Sequence, residues 1–174
     1  MDAATAIDAC VRPVEDWPAQ GVTFRDVTPL LSNHEAFAAV SAAMRDAVRE
    51  LEPDVVVGVE ARGFIFGAPL ALDLGVGFVP VRKQGKLPAD THSATYALEY
   101  GEATLEIHTD ALAPGARVVV VDDVLATGGT LAAAGELVAA CGGTVVGNVV
   151  ALEIGALGGR DALSGTPLVS LRRY

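Results

Sequence analysis

The densest chemistry in the chain lies between positions 118 and 130, VVVVDDVLATGGT. An apolar run ends there in two adjacent carboxylates, Asp122 and Asp123, and Ala126, Thr127, Gly128, Gly129 and Thr130 then turn into an alanine-rich segment. A strand, a glycine turn and a helix in that order bring backbone N–H groups and two hydroxyls to one helix N-terminus, an arrangement suited to a phosphate. The glycines let the backbone approach the anion with no Cβ in the way. Two acids beside such a turn would repel a bare phosphate. They can accept hydrogen bonds from the vicinal hydroxyls of a ribose or anchor the waters of a Mg²⁺ ion, so a sugar phosphate suits both halves of the motif. The plainer reading is that Asp122 and Asp123 end a strand and cap the helix that follows. A P-loop is disfavoured because no lysine follows the glycines, and a dinucleotide site because no GxGxxG follows a strand. Phosphoacceptor domains also pair acids at strand ends, but have no obvious use for the glycine turn.

A second constellation is basic. The two lysines of the chain, Lys83 and Lys86, sit beside Arg82, with no acid between Asp73 and Asp90. In a chain of net charge −10 this is a local cation suited to a multiply charged anion; the alternative is a solvated charged turn. Glu60, Ala61, Arg62 and Gly63 come straight off a β-branched run, giving a second turn with N–H donors and one forked cation. Two anion turns at the ends of neighbouring strands could hold the two ends of one substrate. A surface salt bridge is the other role open to Arg62.

These groups need elements to carry them. Residues 34 to 50 place Phe37, Val40, Met44 and Val48 on one helical stripe, with His34 read as the cap. Residues 54 to 60 read as a short strand after Pro53, 63 to 74 as a helix and 76 to 81 as the next strand. Residues 94 to 98 and 104 to 108 alternate about Gly101 like a hairpin. Residues 118 to 121 predict a central strand buried on both faces, 130 to 141 a helix, and 145 to 152 and 168 to 171 two further strands. Strands alternating with helices imply an α/β domain with a mostly parallel central sheet flanked by helices. The first 30 residues, punctuated by Pro13, Pro18, Gly21 and Pro29, read as a flap rather than a sheet element.

Composition narrows the function classes. The chain has 174 residues, of which 51% are hydrophobic and 20% charged, enough for one domain with a sizeable core. Its negative charge disfavours nucleic acid as a partner. The apolar tracts are broken by Asp122, Asp123, Asn148 and Glu153, which argues against a membrane span. The N-terminus has no basic leader before an apolar stretch, so the expected location is cytoplasmic. Cys10 and Cys141 show no metal-ligand spacing with His34, His92 or His108 and read as buried thiols; His92 and His108 read as surface residues.

Further blocks are GVTFRDVT at 21 to 28, EARGFIFG at 60 to 67, VRKQGKLP at 81 to 88, YALEYG at 96 to 101 and LEIHTDAL at 105 to 112. Together with residues 118 to 130 they resemble the type I phosphoribosyltransferases over nearly the whole chain, and the VLATGGT ending is most similar to their adenine-using members. The resemblance implies the type I phosphoribosyltransferase fold in a single domain over 1–174, with an N-terminal hood over 1–32, a flexible β-hairpin loop over 84–103 and a homodimeric assembly. The implied reaction joins adenine to 5-phosphoribosyl 1-pyrophosphate with Mg²⁺, giving AMP and pyrophosphate.

By the same resemblance Asp122, Asp123, Ala126, Thr127, Gly128, Gly129 and Thr130 bind the ribose and its 5′-phosphate. Glu60, Ala61, Arg62, Arg82, Lys83 and Lys86 bind pyrophosphate, with a cis peptide at Glu60–Ala61. Thr23, Phe24, Arg25 and Ile154 hold adenine: Phe24 and Ile154 as its two faces, Thr23 and Arg25 through their backbone. Phe24 could instead be ordinary flap core. Glu99 is the catalytic carboxylate and Tyr100 its companion as the loop closes, against a solvated hairpin tip with no role. Mg²⁺ arrives through substrate and water near Asp122 and Asp123. Relatives that use 6-oxopurines commonly carry an acid where this chain has Ala126 and a lysine where it has Gly129. Gln84, between the two lysines, departs from the usual pattern. A non-catalytic sensor of the pyrophosphate sugar and a transferase for another base are the competing readings.

Overall fold

The computed structural model describes residues 1–98, 101–163 and 165–174, so Glu99, Tyr100 and Ser164 lie outside it. The chain divides into two compact units, Met1–Ala43 and Met44–Tyr174.

The first unit has more regular structure than its proline punctuation suggests. Helix α1 (Ala3–Cys10) starts at Asp2, whose carboxylate accepts the Thr5 N–H at 2.9 Å. Strands β1 (Arg12–Val14) and β2 (Phe24–Asp26) pair antiparallel, Val14 opposite Phe24, so the expected flap contains a small sheet of its own. Three-residue strands, one containing Pro13, are too short to show an alternating pattern, which is why sequence periodicity missed them. Helix α2 (Thr28–Ser32) has Pro29 in its first turn, where no amide partner is lost. In helix α3 (His34–Val48), which crosses the unit boundary, the cap is Asn33 rather than His34: its side-chain oxygen accepts the Ala36 N–H at 3.1 Å. Val40, Met44 and Val48 are fully buried, as their spacing predicts, while Phe37 is half-buried.

The second unit is built on a seven-stranded sheet. Its chain-order elements are β3 (Val55–Val59), α4 (Arg62–Leu74), β4 (Gly77–Lys83), β5 (Thr91–Ala97), β6 (Glu102–His108), β7 (Arg117–Leu125), α5 (Gly129–Ala140), β8 (Thr144–Glu153) and β9 (Leu168–Arg173). The spatial order is β5-β6-β4-β3-β7-β8-β9, parallel from β4 through β9, with the β5–β6 hairpin added antiparallel to β4. The fold is therefore mixed α/β with a mostly parallel sheet. The chain steps from β3 to β4 in one direction and places β7 on the other side of β3. That reversal leaves a crevice at the carboxyl ends of β3 and β7, where open α/β sheets bind ligands.

β7 is longer than the apolar run that announces it. It continues through Asp122 and Asp123 to Leu125, because β8 goes on pairing with it: Asp122 lies opposite Val150 and Leu125 opposite Glu153. Val118 and Val120 join the core cluster with Leu131, Ala134, Leu137 and Val138 of α5. Successive strand residues face opposite sides, so Val119 and Val121 point to the side on which α4 packs. Phe78 fills the gap between β3 and α4. A Cβ on Gly58 or Gly67 would lie 2.6 Å or 2.9 Å from its ring, so the two glycines let the ring lie where it does.

Candidate active site

The carboxyl ends of β3, β4 and β7 open into one cavity of about 330 Å³. It is lined by Glu60, Ala61, Arg62, Lys83, Asp122, Asp123, Ala126, Thr127, Gly128 and Thr130, which the sequence reading had assigned to three separate blocks. Two helices begin at this cavity. Ala61 is the N-cap position of α4 and Gly128 that of α5, and neither helix has a side-chain cap among the described residues. Their first-turn N–H groups therefore suit an anionic ligand. Gly128 has φ +85°, ψ −9°, a left-handed conformation that favours glycine, and the Glu60–Ala61 peptide is cis, as the resemblance implied.

Gly63 sets how close α4 comes to the acids. A Cβ there would lie 2.6 Å from the Val121 carbonyl oxygen and 3.3 Å from the Asp122 Cα. With glycine the first turn of α4 sits directly on the end of β7, and Arg62 reaches Asp123, donating from Nε to its carboxylate. Asp123 is 3% exposed, so this pair compensates a buried charge. Burial, and after it the neighbouring Asp123 charge, pushes the Asp122 acid well above the usual carboxylate range. The two acids beside the phosphate turn are thus not two bare negative charges. Burial raises the pKa of one, and the other is paired with a guanidinium.

The basic cluster is also less bare than it reads. Arg82 donates from Nε and Nη2 to the two Glu60 oxygens, at 3.2 and 3.1 Å, and the Lys83 N–H donates to Glu60 at 2.9 Å. The Arg82 hydrogen bonds, with the Lys83 amide, hold the Glu60 carboxyl below its ordinary range. Glu60 thereby ties the end of β3 to the end of β4, an acid supplied by the fold where the local sequence has none. Lys83 lines the cavity. Lys86 does not, and its carbonyl accepts from Arg82 Nη1 at 3.1 Å.

Tyr96, on β5, lines the cavity and was missed by the sequence reading. Thr130 Oγ1 donates to its hydroxyl at 3.1 Å, and a Cβ on Gly129 would lie 2.9 Å from its ring. Its position in the loop between the basic cluster and Glu99 was the available signal. Ile154 is half-buried, its N–H bonded to the Leu125 carbonyl at 2.9 Å, and it does not line the cavity. In the first unit the Phe24 ring meets Trp17 edge-on, centroids 4.4 Å apart, so it does have a local packing partner; Thr23 is exposed and Arg25 half-buried. Cys10 and Cys141 are free and half-buried, and burial raises the Cys141 thiol.

Behind the site, Glu153 at the end of β8 is 3% exposed and accepts from Arg160 at 2.9 and 2.7 Å and from Ser170 at 2.5 Å. The Arg160 hydrogen bonds chiefly lower its pKa from 4.5 to about 2. A depressed carboxylate stabilises the fold above its unfolded pKa, and that contribution disappears as pH falls through the folded value. Comparing Glu153→Gln with wild type in urea at pH 7 and pH 2.5, the wild-type advantage should shrink by about 2 kcal/mol, after discounting for the half-exposed guanidinium. An advantage independent of pH would contradict this.

A mostly parallel sheet with a crevice at its strand ends, two helix N-termini and an acid pair is the framework of a phosphoribosyl transferase. The chain belongs to that family, whose phosphoribosyl transferase domain matches residues 26–163. It is 54% identical over 170 residues to adenine phosphoribosyltransferase of Thermobifida fusca, covering 98% of this chain and 97% of that one. Within the family it therefore belongs to the adenine phosphoribosyltransferases. The crystal structure of adenine phosphoribosyltransferase from Thermoanaerobacter pseudethanolicus superposes with TM-score 0.95 at 47% identity, covering 98% and 99% of the two chains. That of Saccharomyces cerevisiae, complexed with an imino-altritol bisphosphate and adenine, gives 0.91 at 40%, covering 97% and 98%.

Proposed function

We propose that this cavity transfers the 5-phosphoribosyl group from 5-phosphoribosyl 1-pyrophosphate to adenine, releasing AMP and pyrophosphate. The observation that carries the assignment of roles is the meeting of the 126–130 turn, the Glu60–Arg62 turn, Lys83 and the acid pair around one 330 Å³ space. The Ala126–Thr130 turn holds the 5′-phosphate, and Asp122 and Asp123 accept from the ribose hydroxyls. Arg62 and Lys83, with the Ala61 and Arg62 amides, receive the pyrophosphate; Glu60 and Arg82 brace that turn, and Lys86 approaches from the loop.

Breaking the bond at C1′ leaves positive charge on the sugar and negative charge on the leaving group. Stabilisation is therefore electrostatic and positional. The acids face the electron-poor ring and the cations face the leaving group. A pair of acid oxygens beside a cation-lined space fits a Mg²⁺ ion shared with the substrate, and Asp122 and Asp123 would hold it through water. When bound it neutralises charge on the pyrophosphate oxygens.

Thr23, Phe24, Arg25 and Ile154 receive the base. The 84–103 loop closes to exclude water, bringing Glu99 and Tyr100 to the reacting centre. Glu99→Ala should lower turnover at least about tenfold with both KM values within a few-fold. An unchanged turnover would remove Glu99 from the mechanism.

The assembly proposed is a cytoplasmic homodimer. Ile65 and Leu72, seven residues apart on one side of α4, are 41% and 82% exposed, apolar surface that a second copy would cover. Among the described residues no helix is long and apolar enough to cross a membrane. The decisive assay supplies a panel of free bases with 5-phosphoribosyl 1-pyrophosphate and measures nucleotide and pyrophosphate. AMP from adenine supports the reading. Binding of the sugar with no product from any base would favour a sensor.

A further inference from the structure

The phosphate turn is backed by a segment that sequence reading left without a role. Gly128 and Gly159 meet backbone to backbone. A Cβ on Gly128 would collide with the Gly159 carbonyl oxygen and lie 2.8 Å from the Ala162 Cβ. A Cβ on Gly159 would collide with the Ala126 carbonyl oxygen and lie 3.0 Å from both the Gly128 nitrogen and Leu125 Cδ1. Gly128 needs glycine for its positive φ as well, but Gly159 does not adopt that conformation. What demands glycine at 159 is the approach itself.

The 3-10 turn that carries Gly159, Gly159–Leu163, is clamped at its second residue. Arg160 forks onto Glu153 and also donates to Ser170 Oγ at 3.1 Å and to the Leu168 carbonyl at 3.2 Å. Glu153 lies opposite Leu125 in the sheet, one residue before the turn begins. The clamp therefore references the backing segment to the same strand ends that launch the 126–130 turn. An anion cradle made of backbone N–H groups works only if its peptides keep their orientation to within about half an ångström. The Ala126 carbonyl and Gly128 nitrogen can shift little while Gly159 lies against them.

We infer that Gly159, fixed by the Arg160–Glu153 clamp, is a positioning residue that sets the geometry of the 126–128 turn for the 5-phosphate of the sugar. The inference rests on the reading of that turn as the phosphate site. Its test uses the full chain and ribose 5-phosphate as the titrated probe, with Thr127→Ala as the direct-contact control. Gly159→Ala should weaken ribose 5-phosphate about tenfold and raise KM for 5-phosphoribosyl 1-pyrophosphate in step, leaving KM for adenine within about two-fold. A role in folding alone would lower the melting temperature and leave the dissociation constant of the folded protein unchanged.

If Thr127→Ala weakens the probe and Gly159→Ala does not, the positioning role is overturned and the phosphate site stands. If neither substitution weakens it, the phosphate reading falls and the inference with it. Should Gly159→Ala not fold, Arg160→Lys decides the matter, since it keeps the charge and loses the fork. About three-fold weaker probe binding at unchanged KM for adenine supports the role, and wild-type binding overturns it.

Discussion

Replacing Arg62 by methionine is expected to lower kcat/KM for 5-phosphoribosyl 1-pyrophosphate about a thousand-fold, equivalent to ~4 kcal/mol of transition-state stabilisation. Two losses act in the same direction. The forked cation at the mouth of α4 no longer meets the departing pyrophosphate, and charge-assisted hydrogen bonds of that kind contribute about 1.5 to 3 kcal/mol each. In addition Asp123, 3% exposed and paired with Arg62 in the wild type, is left as an uncompensated carboxylate beside the anion site. Arg62→Lys should recover only part of the loss, because an ammonium is a point charge without the fork. Initial rates at varied pyrophosphate sugar and saturating adenine check the expectation; a loss below about tenfold would show that Arg62 neither meets the leaving group nor restrains Asp123.

AMP formation from adenine should exceed IMP formation from hypoxanthine by at least a hundred-fold in kcat/KM, about 2.7 kcal/mol of discrimination. Hypoxanthine presents a carbonyl and a protonated ring nitrogen where adenine presents an amine and an acceptor. A site whose groups pair with adenine's pattern is left with unpaired buried groups by hypoxanthine's. The chain has Ala126 where 6-oxopurine enzymes commonly place an acid, and Gly129 where they place a lysine. The structure adds a steric reason for the glycine. The Tyr96 ring stands 2.9 Å from where a Cβ would be, so Gly129→Lys must displace a residue that accepts the Thr130 hydroxyl. That substitution should weaken adenine use without creating hypoxanthine use. Equal efficiencies for the two bases in the wild type would refute the adenine assignment.

Much of the sheet was legible because its signals are local. The β-branched run after Pro53, the alanine-rich segment after Gly129 and the alternation about Gly101 each became the predicted strand, helix or hairpin within a few residues. The misreadings have separate causes. β7 runs four residues beyond its apolar stretch because β8 supplies ladder partners, which no local pattern announces. The β1–β2 ribbon is too short to have a period. Asn33 displaced His34 as cap because a short amide side chain reaches the N3 amide from the residue before the helix.

The sequence by itself determined which groups stand next to one another along the chain: the acid pair joined to a glycine turn, and a cation block with no local acid. Covalent adjacency is enough to specify such units, and they carry the family. Only the tertiary structure decided their electrostatic state and support. Arg62 reaches Asp123 across 61 residues and Arg82 reaches Glu60 across 22, while Gly159 meets the turn from a segment with no motif of its own. Charge pairing and backbone approach depend on distances that exist only once parallel strands have been laid side by side.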